Sequence, residues 1–115
     1  MTLTGTGATR TLSSINAPDF NSTSDARLKE NLEKLDNAVE KVMKMTGYRF
    51  NFINDAEKTK HYGVVAQEIA EVTPELVSET KDHLSVSYMG LVPLLIEAIK
   101  EQQKQIEELK AAIKK

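Results

Sequence analysis

The stretch "MGLVPLLIEAIKEQQKQIEELKAAIKK", residues 89–115, decides the architecture. Val92, Leu95, Ile99, Gln102, Ile106, Leu109 and Ile113 follow one another at steps of three and four, with Lys, Glu and Gln filling most positions between them. That spacing is the a/d seam of a coiled coil, sustained over about three heptads. A helix over these residues would run roughly 40 Å at 1.5 Å per residue, too long for a small domain to cover. Its apolar stripe therefore needs copies of itself. Pro93 falls near the start of the segment, where the first turn tolerates a missing amide donor. Ile at a with Leu at d tends toward parallel dimers, while Gln102 in the seam weakens that tendency. Periodicity leaves dimer or trimer open.

Upstream of this helix the pattern shortens. Leu28, Leu32, Leu35, Val39 and Val42 recur at helical intervals, and "DNAVEKVMKM" before Gly47 predicts a helix, with Gly47 suited to a left-handed residue after it. "YRFNFI" alternates aromatic and polar residues as a strand does, and Tyr48, Phe50 and Phe52 give it a core face. After the polar turn "NDAEKTK", a short strand over 61–64 leads into a helical turn that ends before Pro74, and "HLSVSY" is a further strand candidate. The fold class is α+β: a small mixed domain of short strands and helices, followed by the long C-terminal helix.

Composition narrows the function classes. The 115 residues carry 15 basic and 17 acidic side chains, a net charge of −2, so no basic face stands out for nucleic acid. No apolar run approaches the ~20 residues of a bilayer span, and "MTLTGTGATR" lacks the apolar core of a secretory signal. The reading is a soluble protein, without membrane or nucleic-acid partners. Zero cysteines remove disulfides, thiolate metal sites and thiol nucleophiles, and suit synthesis inside a cell. His61 and His83 have no ligand spacing with Asp55, Glu57 or Asp82, and the glycines form no phosphate-binding fingerprint, so neither metal nor cofactor is expected.

The sharpest change in composition falls at residues 24–25. Thr, Ser, Gly and Asn dominate residues 1–24, and charge becomes dense from Asp25 onward. On spacing alone, Ser24 or Asp25 reads as a helix cap and Lys29 as a solvated charge. The other reading needs chemistry: a serine is a nucleophile only when a base takes its proton, and a lysine is a base only when neutral.

Four stretches in order, "TSDARLKENL" (23–32), "AVEKVMKMTGYRFNF" (38–52), "YGVVAQEIAEVTPELV" (62–77) and "LSVSYMGLVPLLIEAIKEQQKQIEEL" (84–109), resemble the intramolecular chaperone domain of phage tail spikes and tail fibres, the S74 self-cleaving peptidases. The resemblance implies a parallel homotrimeric coiled coil, and a folding client in the upstream fibre or spike segment of the same chain. It implies residues 1–24 as the end of that segment and 25–115 as the chaperone, with 89–115 its coiled-coil helix. It further implies autoproteolysis between Ser24 and Asp25, with Ser24 and Lys29 as a catalytic dyad, and release of the chaperone during virion assembly in the host cytoplasm. His61, Gln67 and Glu68, in the third motif region, are candidate supporting residues, with a structural role weighted above catalysis. Attack by Ser24 on its own carbonyl would close a strained four-membered ring, so a neighbouring chain's serine, the Thr23 carbonyl as target, or the Asp25 carboxylate are the alternatives. A non-cleaving trimerisation or fibre-tip module is the competing function.

Overall fold

The computed structural model describes residues 21–114, and the chain divides into two units, Met1–Glu33 and Lys34–Lys115. The boundary expected after Ser24 concerns residues that lie largely outside those described.

In the first unit the described chain has no regular structure before a single 3-10 turn, Ala26–Leu28. Asp25 caps it: its side chain accepts from the Arg27 amide, and its carbonyl accepts from Leu28 N at 3.0 Å. Lys29 returns to extended backbone, at φ −118° and ψ 147°. The helical stripe read through Leu28 and Leu32 is therefore not a helix, and both leucines are exposed. Asn31 at φ 56° and Asn37 at φ 52° explain the failure, since a left-handed residue ends a right-handed helix and Asn tolerates that conformation better than most side chains. Spacing alone could not reveal either asparagine's backbone.

The second unit begins with α1, Ala38–Met43, then β1, Tyr48–Phe50, and β2, His61–Gly63. The two strands pair antiparallel with Tyr48 opposite Gly63 and Phe50 opposite His61. Asp55 orders the connecting loop by accepting from the amides of Glu57 (3.0 Å) and Thr59 (2.9 Å). Next come α2, Ala66–Val72, a 3-10 turn at Pro74–Leu76, and a second antiparallel hairpin of β3, Val77–Glu79, and β4, Leu84–Val86. β3 was not anticipated. Its three residues follow a proline turn too closely to show an alternation of their own. Gly47 does not take the left-handed conformation expected of it: among the described glycines none has positive φ, and α1 closes through the amides of Lys44 and Met45.

The long helix α3 spans Tyr88–Ile113, 26 residues or about 39 Å. Ser87 caps it by accepting from Gly90 N at 3.2 Å. Pro93 sits sixth in the helix, beyond the first turn assigned to it, and the helix continues through it. The core is small. Leu94 and Ala98 of α3 bury against Ala38 of α1, with Val39, Val42 and Met45 around them. Ile69 of α2 is fully buried as well. Along α3, the seam residues Val92, Leu95, Ile99, Ile106, Leu109 and Ile113 stay exposed, as does Gln102. One helix thus carries a core face in its first half and an uncovered apolar stripe along its length.

Candidate functional site

The local chain between Ser24 and Lys29 is built so that its ends meet. Ser24 precedes the 3-10 turn, Lys29 follows it, and three tightly wound residues bring the sixth residue back toward the first. The Lys29 ammonium donates to Ser24 Oγ at 2.6 Å. Both side chains are exposed. The hydrogen bond positions the pair. For Lys29 to act as a base, the ammonium must lose a proton and the hydrogen bond must reverse.

Between them in sequence is Asp25, whose carboxylate a single residue takes up. Arg27 donates to it through the main-chain amide (2.9 Å to Oδ1), Nε (3.1 Å to Oδ1 and 3.2 Å to Oδ2) and Nη2 (2.6 Å to Oδ2). The Arg27 side chain, followed by its amide, holds the Asp25 carboxyl below the ordinary carboxylate value and raises that of the Arg27 guanidinium. Asp25 is thus held as the anion and engaged by Arg27. Arg27 was not singled out from the sequence as a partner of Asp25. Its signal was the Asp-x-Arg spacing, which lets an Asp cap and the second residue's guanidinium share one carboxylate.

The candidate supporting residues belong to the second unit, where each has its own surroundings. His61 packs against the rings of Phe50 and Phe52, with centroids 5.5 and 5.1 Å away. Glu68 accepts from Tyr48 Oη at 2.8 Å, and that bond pushes the tyrosine's pKa up. Gln67 is exposed and lines an open hollow beside the Thr80–His83 turn. Among the described residues no three His, Cys, Asp or Glu side chains gather as metal ligands, and no helix is long and apolar enough to cross a membrane.

Residues 24–78 match the model of Peptidase S74, chaperone of endosialidase, so the matched span opens on Ser24 itself. This segment belongs to that family. Among curated relatives, the family member is 36% identical over 107 residues to the long tail fiber protein Gp37 of Enterobacteria phage K3, a match covering 86% of this chain and 9% of that protein. The Gp37 of Enterobacteria phage T2 is also 36% identical over 107 residues, with 86% and 8% covered. The Gp37 of Enterobacteria phage M1 is 33% identical over 99 residues, with 78% and 39% covered. The chain thus spans less than a tenth of the first two relatives. At the start of the family span, Ser24 meets Lys29 and Asp25 meets Arg27, both inside one short segment.

Proposed function

We propose that this segment is a chaperone for assembly of a phage tail fibre, which joins three copies through α3 and then cuts itself free between Ser24 and Asp25. Family membership and the tail-fibre relatives support the chaperone role. The uncovered stripe on α3 supports self-association. The observation that carries the cleavage reading is the 2.6 Å contact of Lys29 with Ser24 at the first residue of the family span.

Three chains winding into one β-rich fibre face many nearly equivalent registers, and non-local strand pairing is slow to nucleate. A helix that gathers the three C-terminal ends first sets the alignment and raises the effective concentration of the strands upstream. Cutting the tether afterwards leaves the fibre trapped, because chains without the chaperone do not readily regain register.

The chemistry follows from ring size. A serine of a neighbouring copy attacks the Ser24 carbonyl carbon and gives its Oγ proton to a neutral Lys29 nitrogen. The Ser24–Asp25 C–N bond then breaks, and the Asp25 amine leaves with that proton. Water hydrolyses the resulting ester, leaving a Ser24 carboxylate and the free hydroxyl. Because both side chains are solvated in one chain, the neutral lysine depends on desolvation that a neighbouring copy supplies, so cutting waits for assembly.

Fresh full-length protein, followed by intact mass and denaturing gel, tests this. A fragment beginning at Asp25 is expected, absent in Ser24→Ala and in Lys29→Met, while native mass reads three chains in each. A trimer that remains full length would reduce the segment to a non-cleaving trimerisation module. A persistent monomer would remove the assembly role as well.

A further inference from the structure

We propose that Arg27 is a positioning residue for the cleavage site, occupying the Asp25 carboxylate so that Lys29 is left to pair with Ser24. This rests on the cleavage reading for its consequence, but not for its geometry.

Lys29 follows Asp25 by four residues, and a carboxylate is a far stronger partner for an ammonium than a neutral hydroxyl is. Left to simple charge attraction, Lys29 would choose Asp25. It donates instead to Ser24 Oγ at 2.6 Å. The reason is on the carboxylate: both oxygens already accept from Arg27, through the amide, Nε and Nη2, at 2.6–3.2 Å. A carboxylate offers about four lone-pair sites, and one residue accounts for four contacts. The amide bond also fixes the carboxylate's rotamer, because it is part of the cap that starts the 3-10 turn. Guanidinium suits this task better than a second lysine, since its planar fork meets both oxygens at once.

The consequence is specific to a serine-lysine site. A lysine bound to Asp25 would be misplaced, and its charged form would be favoured by the adjacent anion, so the base would be harder to generate. The Arg27–Asp25 pair is exposed and adds little to folding stability. Its effect is on which partner Lys29 finds.

The test is a titration cycle on the Asp25 side-chain carboxyl, read by carbon NMR in the full chain carrying Ser24→Ala, which removes the hydroxyl and leaves Lys29 free to move. With Arg27 present, adding Lys29→Met should leave the Asp25 midpoint unmoved. With Arg27→Ala present, adding Lys29→Met should raise the midpoint by about half a pH unit, because Lys29 has taken the vacated carboxylate. An equal effect of Lys29→Met with and without Arg27 overturns the proposal, as does no effect in either. In the chain with Ser24 intact, Arg27→Ala should slow cutting about tenfold and move its pH dependence upward, with Arg27→Lys restoring only part of the rate. Native-like cutting by Arg27→Ala also overturns it. If the unaltered chain never cuts, the cleavage reading fails, while the NMR cycle still decides the Arg27 assignment.

Discussion

Tyr88 Oη accepts the backbone amide of Val64 at 3.1 Å, tying the first residue of α3 to the end of the β1–β2 hairpin. The contact is possible because residue 63 is glycine. A β-carbon there would lie 2.6 Å from Tyr88 Oη and 3.0 Å from Phe50 Cε1. The long helix is thereby anchored to a strand pair as well as to α1.

Gly63→Ala should therefore destabilise the fold by about 1–3 kcal/mol through overpacking, and Tyr88→Phe by about 1 kcal/mol through the lost hydrogen bond. The double variant should cost less than the sum, because removing the hydroxyl clears one of the two clashes. Urea melts of the four proteins give the coupling directly. Strict additivity would mean that Tyr88 and Gly63 do not share this contact.

Two neighbouring positions on α3 should behave in opposite ways. Leu94 is 3% exposed and packs on α1, so Leu94→Ala should cost about 2–5 kcal/mol in every assembly state. Ile99 is 64% exposed in the single chain, so Ile99→Asp should leave the monomer folded and abolish the proposed trimer. Native mass, together with a melting temperature that no longer rises with protein concentration, separates the two effects.

On the proposed chemistry, Lys29→Arg should keep a cation beside Ser24 yet lose cutting by at least about 10²-fold, since guanidinium cannot serve as a base near neutral pH. Trimer content by native mass should not change. Wild-type cutting by this variant would show that Lys29 supplies charge alone.

Asp25 gives a prediction with a definite sign. Its carboxyl lies below the ordinary 3.8 because Arg27 donates to the ionised form. A depressed acid contributes order above its unfolded value and loses it as pH falls through the folded value, so the cap at Asp25 should persist above pH 3.8 and come apart at lower pH. Carboxyl carbon NMR should find the native midpoint below 3.8, and Arg27→Ala should move it upward.

The two ends of the chain were legible to different degrees. The seam on α3 could be read from spacing because a long helix repeats its geometry, so every third or fourth residue reports on the same face. The strands at Tyr48–Phe50, His61–Gly63 and Leu84–Val86 also showed through, by their aromatic and β-branched residues. The stripe held only from Val39 to Val42, inside α1, and misled from Leu28 to Leu35: apolar spacing describes a helix without ensuring one, and Asn31 and Asn37 interrupt it through backbone angles that no periodicity displays.

By itself the sequence determined the α+β class, the uncovered helical seam, and the family through four motifs in order, because these are local or repeated properties carried by side-chain type. Tertiary structure decided that Leu94 and Ala98, between seam positions, face α1 instead of solvent. Local folding around Asp25 decided the rest: a three-residue turn aims Lys29 at Ser24, and Arg27 takes the Asp25 carboxylate. Those choices depend on which of several nearby partners a flexible side chain reaches, a competition in space that linear spacing does not resolve.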